Sequence, residues 1–214
     1  MLSVKHYTST EGYTYLLEPG ESGSQNLHFG ILKLHAESTY FDHTEACEVV
    51  LIPLIGRCTL LVGHSGNKAN GILGARETVF ESEGCAAFIP HHTTYEILPQ
   101  SQNVEIAICR TPSHFDAAAV INPTGPIETP PNYQLHIVEN DTASEWIGEA
   151  VGFHRFRNEV GSATVLSDQT GEKQMRTYLH HNDLLVIPEK TRTRMVACQG
   201  ELYQLMISRI TLPQ

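Results

Sequence analysis

Long hydrophobic runs are missing from this chain of 214 residues: no stretch of 18 apolar residues occurs, so nothing reads as a helix that crosses a bilayer. Charge is scarce and one-sided. Charged residues make up 18%, and 14 basic against 24 acidic side chains leave a formal net charge of −10. A surface of that sign repels phosphate backbones and anionic headgroups, which argues against nucleic-acid and membrane partners. Cysteine is sparse, and Cys47, Cys58, Cys85, Cys109 and Cys198 are odd in number, mostly inside apolar runs and without a C-x-x-C. Free thiols in a reducing cytoplasm fit that pattern better than a disulfide framework or a zinc knuckle. Met1 to His6 lacks the apolar core of a signal peptide. No G-x-S-x-G, P-loop or dinucleotide fingerprint appears, which removes the usual nucleophile and nucleotide readings. Helical periodicity is missing as well; Ala117 to Val120 offers one helical turn at most.

What is present is a globular composition, 41% apolar, patterned for strands. Asn26 to Leu34, Cys47 to Leu54, Arg57 to Val62, Cys85 to Ile89 and Val104 to Cys109 read as strands. After a gap follow Tyr133 to Val138, Ala163 to Leu166, Asp183 to Ile187 and Leu202 to Ser208. The fold class is therefore all-β. The segment Ile121 to Asn132 holds four prolines in twelve residues, and proline removes ladder donors and stiffens the chain. It divides the chain into an N-terminal barrel at 1–122, a linker at 123–132 and a C-terminal barrel at 133–214. An internal repeat supports the division. Gly84-Cys85-Ala86-Ala87-Phe88-Ile89-Pro90 matches Asn182-Asp183-Leu184-Leu185-Val186-Ile187-Pro188 at an offset of 98 residues. Thr94 to Arg110 likewise resembles Thr193 to Arg209, and two copies of one β unit are the economical explanation.

The repeated segment has the spacing of the second cupin motif, G-x5-P-x-G-x2-H, whose histidine points into a small barrel as a metal ligand. In the first copy Tyr95 occupies that histidine position. Upstream, His43 and Glu48, with His92 beyond Pro90, are the candidates for a metal site in the first barrel, although their spacing departs from both cupin motifs. In the second copy the position falls on Thr193, or on Arg192 if the turn is one residue shorter. Arginine does not ligate cations, but it holds carboxylates bidentately.

Phe29-Gly30-Ile31-Leu32-Lys33-Leu34, Glu48 to Ile52, Gly56, and above all Leu73-Gly74-Ala75-Arg76-Glu77-Thr78-Val79-Phe80-Glu81 resemble the N-terminal barrel of the 5-deoxy-glucuronate isomerases. Those two-barrel cupins of inositol breakdown are similar to the 5-keto-4-deoxyuronate isomerases. The resemblance thins over Val151 to Ser167, where Gly152-Phe153-His154-Arg155-Phe156 matches an aromatic-His-Arg strand. It implies a bicupin whose second barrel is truncated and whose metal ligands there have changed. Ala150 stands at the glutamate position with Glu149 one residue off, and Arg192 aligns with the late histidine.

By resemblance the activity is aldose–ketose isomerisation of a sugar acid. Without the family's metal, Glu149 and His154 would serve as the catalytic pair, with Arg192, Arg194 and Tyr203 binding substrate. The alternative is a non-catalytic, metal-free cupin that binds a sugar acid or acts as an assembly module. No cofactor is expected. The expected partners are a small sugar acid and a second copy of the chain in a homodimer.

Overall fold

The computed structural model describes residues 2–64, 67–81, 84–114, 116–122, 133–139, 145–169 and 174–209. The proline-rich segment 123–132 lies outside the described residues. The first ten strands are β1 (Ser3–His6), β2 (Gly12–Leu17), β3 (His28–His35), β4 (Tyr40–His43), β5 (Cys47–His64), β6 (Asn67–Arg76), β7 (Ala86–Ile89), β8 (Thr94–Pro99), β9 (Asn103–Pro112) and β10 (Val120–Asn122). Then come β11 (Tyr133–Glu139), β12 (Glu145–Ile147), β13 (Ala150–Phe156), β14 (Ser162–Gln169), β15 (Met175–Leu179), β16 (Asp183–Ile187), β17 (Thr191–Gln199) and β18 (Leu202–Arg209). The one helical element among the described residues is a 3-10 turn at Arg157–Glu159. Ala117 to Ala119, the expected helical turn, is irregular and runs into β10. No described helix is long and apolar enough to cross a membrane.

The chain forms two compact units: an N-terminal one of Ser9–Tyr15 and His28–Pro130, and a C-terminal one of Met1–Thr8, Leu16–Leu27 and Pro131–Gln214. The division therefore differs from the sequence expectation at the N-terminus. β1 pairs antiparallel with β16, Ser3 opposite Val186 and His6 opposite Asp183, so it completes the C-terminal unit. Its four residues, Ser-Val-Lys-His, alternate too briefly to be read as a strand from sequence.

In the N-terminal unit, β5 links two sheet layers. Its first half pairs with β7 and β9, and its second half with β6 and β8. The strand turns the corner through bulges at Pro53/Ile55 and Gly56/Arg57, which explains why the sequence pattern reads as two strands there. Gly56 has φ 82°, and a side chain on it would meet the Asn103 carbonyl oxygen at 2.1 Å. Between the layers lies a core that includes Leu32, Val49, Leu51, Leu60, Val62, Ile97, Ile106 and Ile108. In the second half of β5 and in β8 these alternate with less buried residues, whereas β3, the first half of β5 and β9 are buried on both faces, as Ile31, Val50, Ile52 and Ala107 show.

The L-G-x-R-x-x-V-F-E stretch has a structural task. Leu73 and Val79 are buried, and Gly74 abuts the Gly56 carbonyl oxygen, where a Cβ would come within 2.2 Å. Arg76, buried, donates from Nη2 to the Pro53 carbonyl (2.8 Å) and from Nη1 to the Val79 carbonyl (3.4 Å). Glu81 Oε2 accepts the Glu77 backbone N–H at 2.8 Å. The segment thus locks the β5 corner, where the bulges leave carbonyls without ladder partners.

In the C-terminal unit a five-stranded sheet, β1-β16-β13-β18-β11, is accompanied by a four-stranded one, β12-β17-β14-β15. The order β16-β13-β18 repeats β7-β5-β9, and β12-β17-β14-β15 repeats the β4-β8-β5-β6 branch. Among the described strands the C-terminal path has five members where the N-terminal one, β10-β7-β5-β9-β3-β2, has six: nothing described pairs beyond β11 as β2 pairs beyond β3, which agrees with a shortened second barrel. Where β5 runs on continuously, β13 and β14 are separated by the 3-10 turn, with Asn158 in the left-handed region (φ 56°). Phe156, Val165, Leu185, Ile187, Met195, Leu202 and Met206 build this core. All five cysteines are free, three buried and two half-buried.

Candidate functional site

His154 lies on β13 and is fully buried. Its Nδ1 sits 3.2 Å from the Asp183 carbonyl oxygen, to which only an N–H can donate. Nε2 then accepts from the Gln204 amide nitrogen at 2.9 Å. Burial pushes the imidazole down from 6.5 to about 4, so it is neutral at physiological pH. The same interior receives Thr193, whose buried hydroxyl has no hydrogen-bond partner, as has Gln204 Oε1.

Glu149 is buried and already engaged. Its Oε1 accepts from Ser24 Oγ (2.7 Å) and the backbone N–H groups of Gln25 (2.7 Å) and Asn26 (2.8 Å), and its Oε2 from the Asn26 amide (3.1 Å). Burial opposes its ionisation, but these donors outweigh burial and hold the carboxyl below its ordinary value. A carboxylate so satisfied is an anchor for Ser24–Leu27 and a poor base.

The two arginines do not line the interior. Along β17, Thr191, Thr193 and Met195 are buried while Arg192 and Arg194 are exposed, as the pleat requires. Arg192 pairs instead with Glu145 at 3.1 Å. The turn after Pro188 therefore has the longer form, and Thr193 holds the motif's ligand position. Tyr203 is fully buried, but it alternates with Gln204 and so faces away from His154. The expected constellation of Glu149, His154, Arg192, Arg194 and Tyr203 does not converge.

The same holds for His43, Glu48 and His92. His43 is half-exposed and accepts the Glu45 backbone N–H at 3.0 Å. His92 is exposed in a left-handed turn (φ 51°), its ring 6.5 Å from that of His43. Glu48 is buried, but Val49 takes the core-facing position on β5 and leaves Glu48 on the opposite face. Among the described residues no group of three or more His, Cys, Asp or Glu side chains is placed to hold a metal ion. The divalent centre that the resemblance implies does not fit these donors. Ala150 offers no carboxylate, Thr193 no imidazole, and the lone pair of His154 is taken by Gln204.

A polar cluster that the sequence reading missed lies in the N-terminal unit. Tyr40 and Asp42 from β4, Tyr95 from β8 and Arg110 from β9 point inward, with Tyr13 from β2 beside them. Asp42 Oδ2 accepts from the Tyr40 hydroxyl (2.7 Å), the Tyr95 hydroxyl (3.0 Å) and Arg110 Nη2, while Oδ1 accepts the His43 backbone N–H (2.7 Å). Arg110 Nη2 also reaches the Tyr95 oxygen at 3.2 Å, and its guanidinium carbon lies 6.0 Å from the Tyr13 ring centre. Burial works against the Asp42 carboxylate, but the Tyr40 hydrogen bond and the Arg110 charge hold its carboxyl below the ordinary value. Burial pushes Tyr13, Tyr40 and Tyr95 upward, so all three phenols keep their protons. Two donors are unspent: Arg110 Nε and the Tyr13 hydroxyl are buried with no hydrogen-bond partner. Gly30 makes room for that phenol, since a Cβ there would lie 2.5 Å from the Tyr13 oxygen.

Signals for this cluster were present: Tyr95 at the cupin histidine position, the i, i+2 pair Tyr40 and Asp42, and Arg110 ending an apolar run. The C-terminal copy lacks it, with Thr193 standing where Tyr95 does and Trp146, its β12 neighbour, where Asp42 does.

The sequence matches the KduI/IolB family model over residues 2–129. No curated protein matches it. An IolB-like protein from Salmonella typhimurium LT2 superposes with a TM-score of 0.80 at 15% identity, covering 99% of this chain and 94% of that one. A variant of Bacillus subtilis oxalate decarboxylase gives 0.66 at 10% identity, covering 97% and 81%. A cupin 2 conserved barrel domain protein from Leptotrichia buccalis gives 0.55 at 12% identity, covering 97% and 96%. At such identities the structural likenesses establish the fold, which is cupin. With the family model matching more than half of its length, the chain belongs to the KduI/IolB family.

Proposed function

We propose that this chain is a metal-independent binding protein for a small carboxylic acid, of the sugar-acid class that its family suggests, seated in the interior of the N-terminal unit. The observation that supports this reading is the pair of unspent buried donors, Arg110 Nε and the Tyr13 hydroxyl, beside a guanidinium that Asp42 holds in place. A buried donor without an acceptor costs about 1–3 kcal/mol, and an incoming carboxylate oxygen relieves that cost. Arg110 then bridges two carboxylates, one from the protein and one from the ligand.

Calorimetric titration with glucuronate and galacturonate tests the reading. Wild type binds with or without chelator. The paired variant Asp42→Asn/Arg110→Gln, which leaves no lone buried charge, loses binding by at least tenfold while its circular dichroism is unchanged. Equal affinity in the two proteins would overturn the proposal. Family membership favours aldose–ketose isomerisation as the second reading, and turnover of a uronate that depends on added Mn2+ or Zn2+ would establish it instead. We place the protein in the cytoplasm, as its free thiols suit, and as a homodimer. The β15 edge of the four-stranded sheet, with Met175 and Tyr178 exposed, supports self-association, and a strict monomer by light scattering would count against it.

A further inference from the structure

We propose a second binding site, on the outer face of the β4-β8-β5-β6 layer in the N-terminal unit, that takes a pyranose ring, either as a free monosaccharide or as the end unit of a glycan. It is independent of the interior acid site, which lies on the other face of that layer. A groove of about 250 Å3 crosses the outer face. Its lining takes three consecutive residues from each of three strands, 61–63 of β5, 68–70 of β6 and 94–96 of β8, with Phe41 from β4. The middle residue of each triplet, Val62, Ala69 or Tyr95, packs against the core, so the flanking side chains point outward. Gly63 leaves the floor open. It stands opposite Thr94 on one side and Lys68 on the other, and brings no side chain between them.

The groove sets an apolar surface among polar groups. Phe41 is 68% exposed and Leu61 is half-buried, on a sheet face where polar residues are the norm. Around them stand Lys68, Asn70 and Glu96, whose side chains make no hydrogen bond or ion pair among the described residues. Two residues further along β5 the same face is already satisfied, since Gln100 Nε2 donates to Thr59 Oγ1 at 2.6 Å. The ammonium and the carboxylate offset each other, so the groove suits a neutral ligand that both donates and accepts hydrogen bonds. A pyranose is such a ligand: C–H bonds cover the faces of its ring, and hydroxyls project around its edge. The Phe41 ring takes the C–H face, Lys68 and Asn70 donate to hydroxyl oxygens, and Glu96 accepts a hydroxyl proton. An open-chain polyol carries the same hydroxyls without a flat face. An apolar peptide would bury the charged rim unanswered.

Titration of the full chain with methyl β-glucopyranoside, cellobiose and the open-chain glucitol, followed by backbone amide NMR shifts, tests this. None of these probes carries a carboxylate, so the interior acid site is not read. Shifts are expected at residues 61–63, 68–70 and 94–96, with glucitol at least tenfold weaker than the glucoside. Cellobiose tighter than the glucoside would support the end unit of a glycan, and equal affinity would support a single sugar. Phe41→Ala, a change at an exposed position, is expected to weaken binding about tenfold through loss of the stacked ring. Gly63→Val, which raises the floor, should abolish it. Glucitol equal to the glucoside, undiminished affinity in Phe41→Ala, or no shift with any sugar would overturn the proposal. So would a dimer that Phe41→Ala dissociates in light scattering, which would give this face to a second copy of the chain.

Discussion

Two buried ionisable residues, His154 and Glu149, make acid the natural enemy of the C-terminal unit. His154 has its folded value lowered from 6.5 to about 4, so below pH 6.5 the unfolded chain binds a proton that the folded one refuses. Stability therefore falls as pH drops from 6.5 toward 4, by a total on the order of 3 kcal/mol. Glu149 has its value lowered from 4.5, so its contribution is intact above pH 4.5 and is lost as pH falls through the lower folded value. Urea titrations between pH 7 and 5.5 separate the two, because only the histidine acts there. His154→Met should flatten the slope in that window, and an unchanged slope would assign the effect to other groups. Glu149→Gln sets an amide N–H2 among donors and should cost about 2–3 kcal/mol at pH 7, read as a lower urea midpoint.

The strand corners carry the strain of an all-β molecule. Arg76→Met removes the donors that satisfy the Pro53 and Val79 carbonyls beside the β5 bulges. The expected loss is about 2–4 kcal/mol, with the slope of unfolding against urea unchanged. A loss under about 0.5 kcal/mol would show that the family's most specific stretch is kept for something other than this corner. Gly30→Ala acts across strands. Its methyl would meet the Tyr13 phenol carbon and oxygen at 2.5 Å, so the ring must move. If Tyr13 is part of the binding site, uronate affinity falls by more than stability does, and calorimetry beside thermal melting reads both.

The duplication organises the whole molecule, and the copies have diverged in chemistry more than in topology. One interior carries Asp42, Arg110 and three phenols; the other carries a neutral His154–Gln204 pair, Thr193 and Trp146. Divalent metal is therefore expected to leave acid binding unaltered. Dialysis against chelator followed by addition of Mn2+ or Zn2+ should change neither the dissociation constant nor the melting temperature, and a rise of several degrees on adding metal would show a site that the described residues do not form.

Apolar strand-forming runs without helical spacing, a 98-residue repeat and the L-G-x-R-x-x-V-F-E stretch were enough to read an all-β cupin and its family from sequence alone, because strand patterning and turn chemistry are local. The site was not legible in the same way. Arg192 and Thr193 differ by one position, and one residue of register sends a side chain to the opposite face, so the length of a single turn decided between a charged interior and a neutral one. Glu149 looked free because its five donors come from residues 24–27, more than a hundred positions away. Tyr13, Tyr40, Asp42, Tyr95 and Arg110 belong to four different strands and carry no shared spacing; only the pairing of β4 with β8, and the facing of β9 across the core, makes them one cluster. Composition and periodicity are properties of the chain, but which polar groups share an interior is set by strand pairing, and that is a property of the fold.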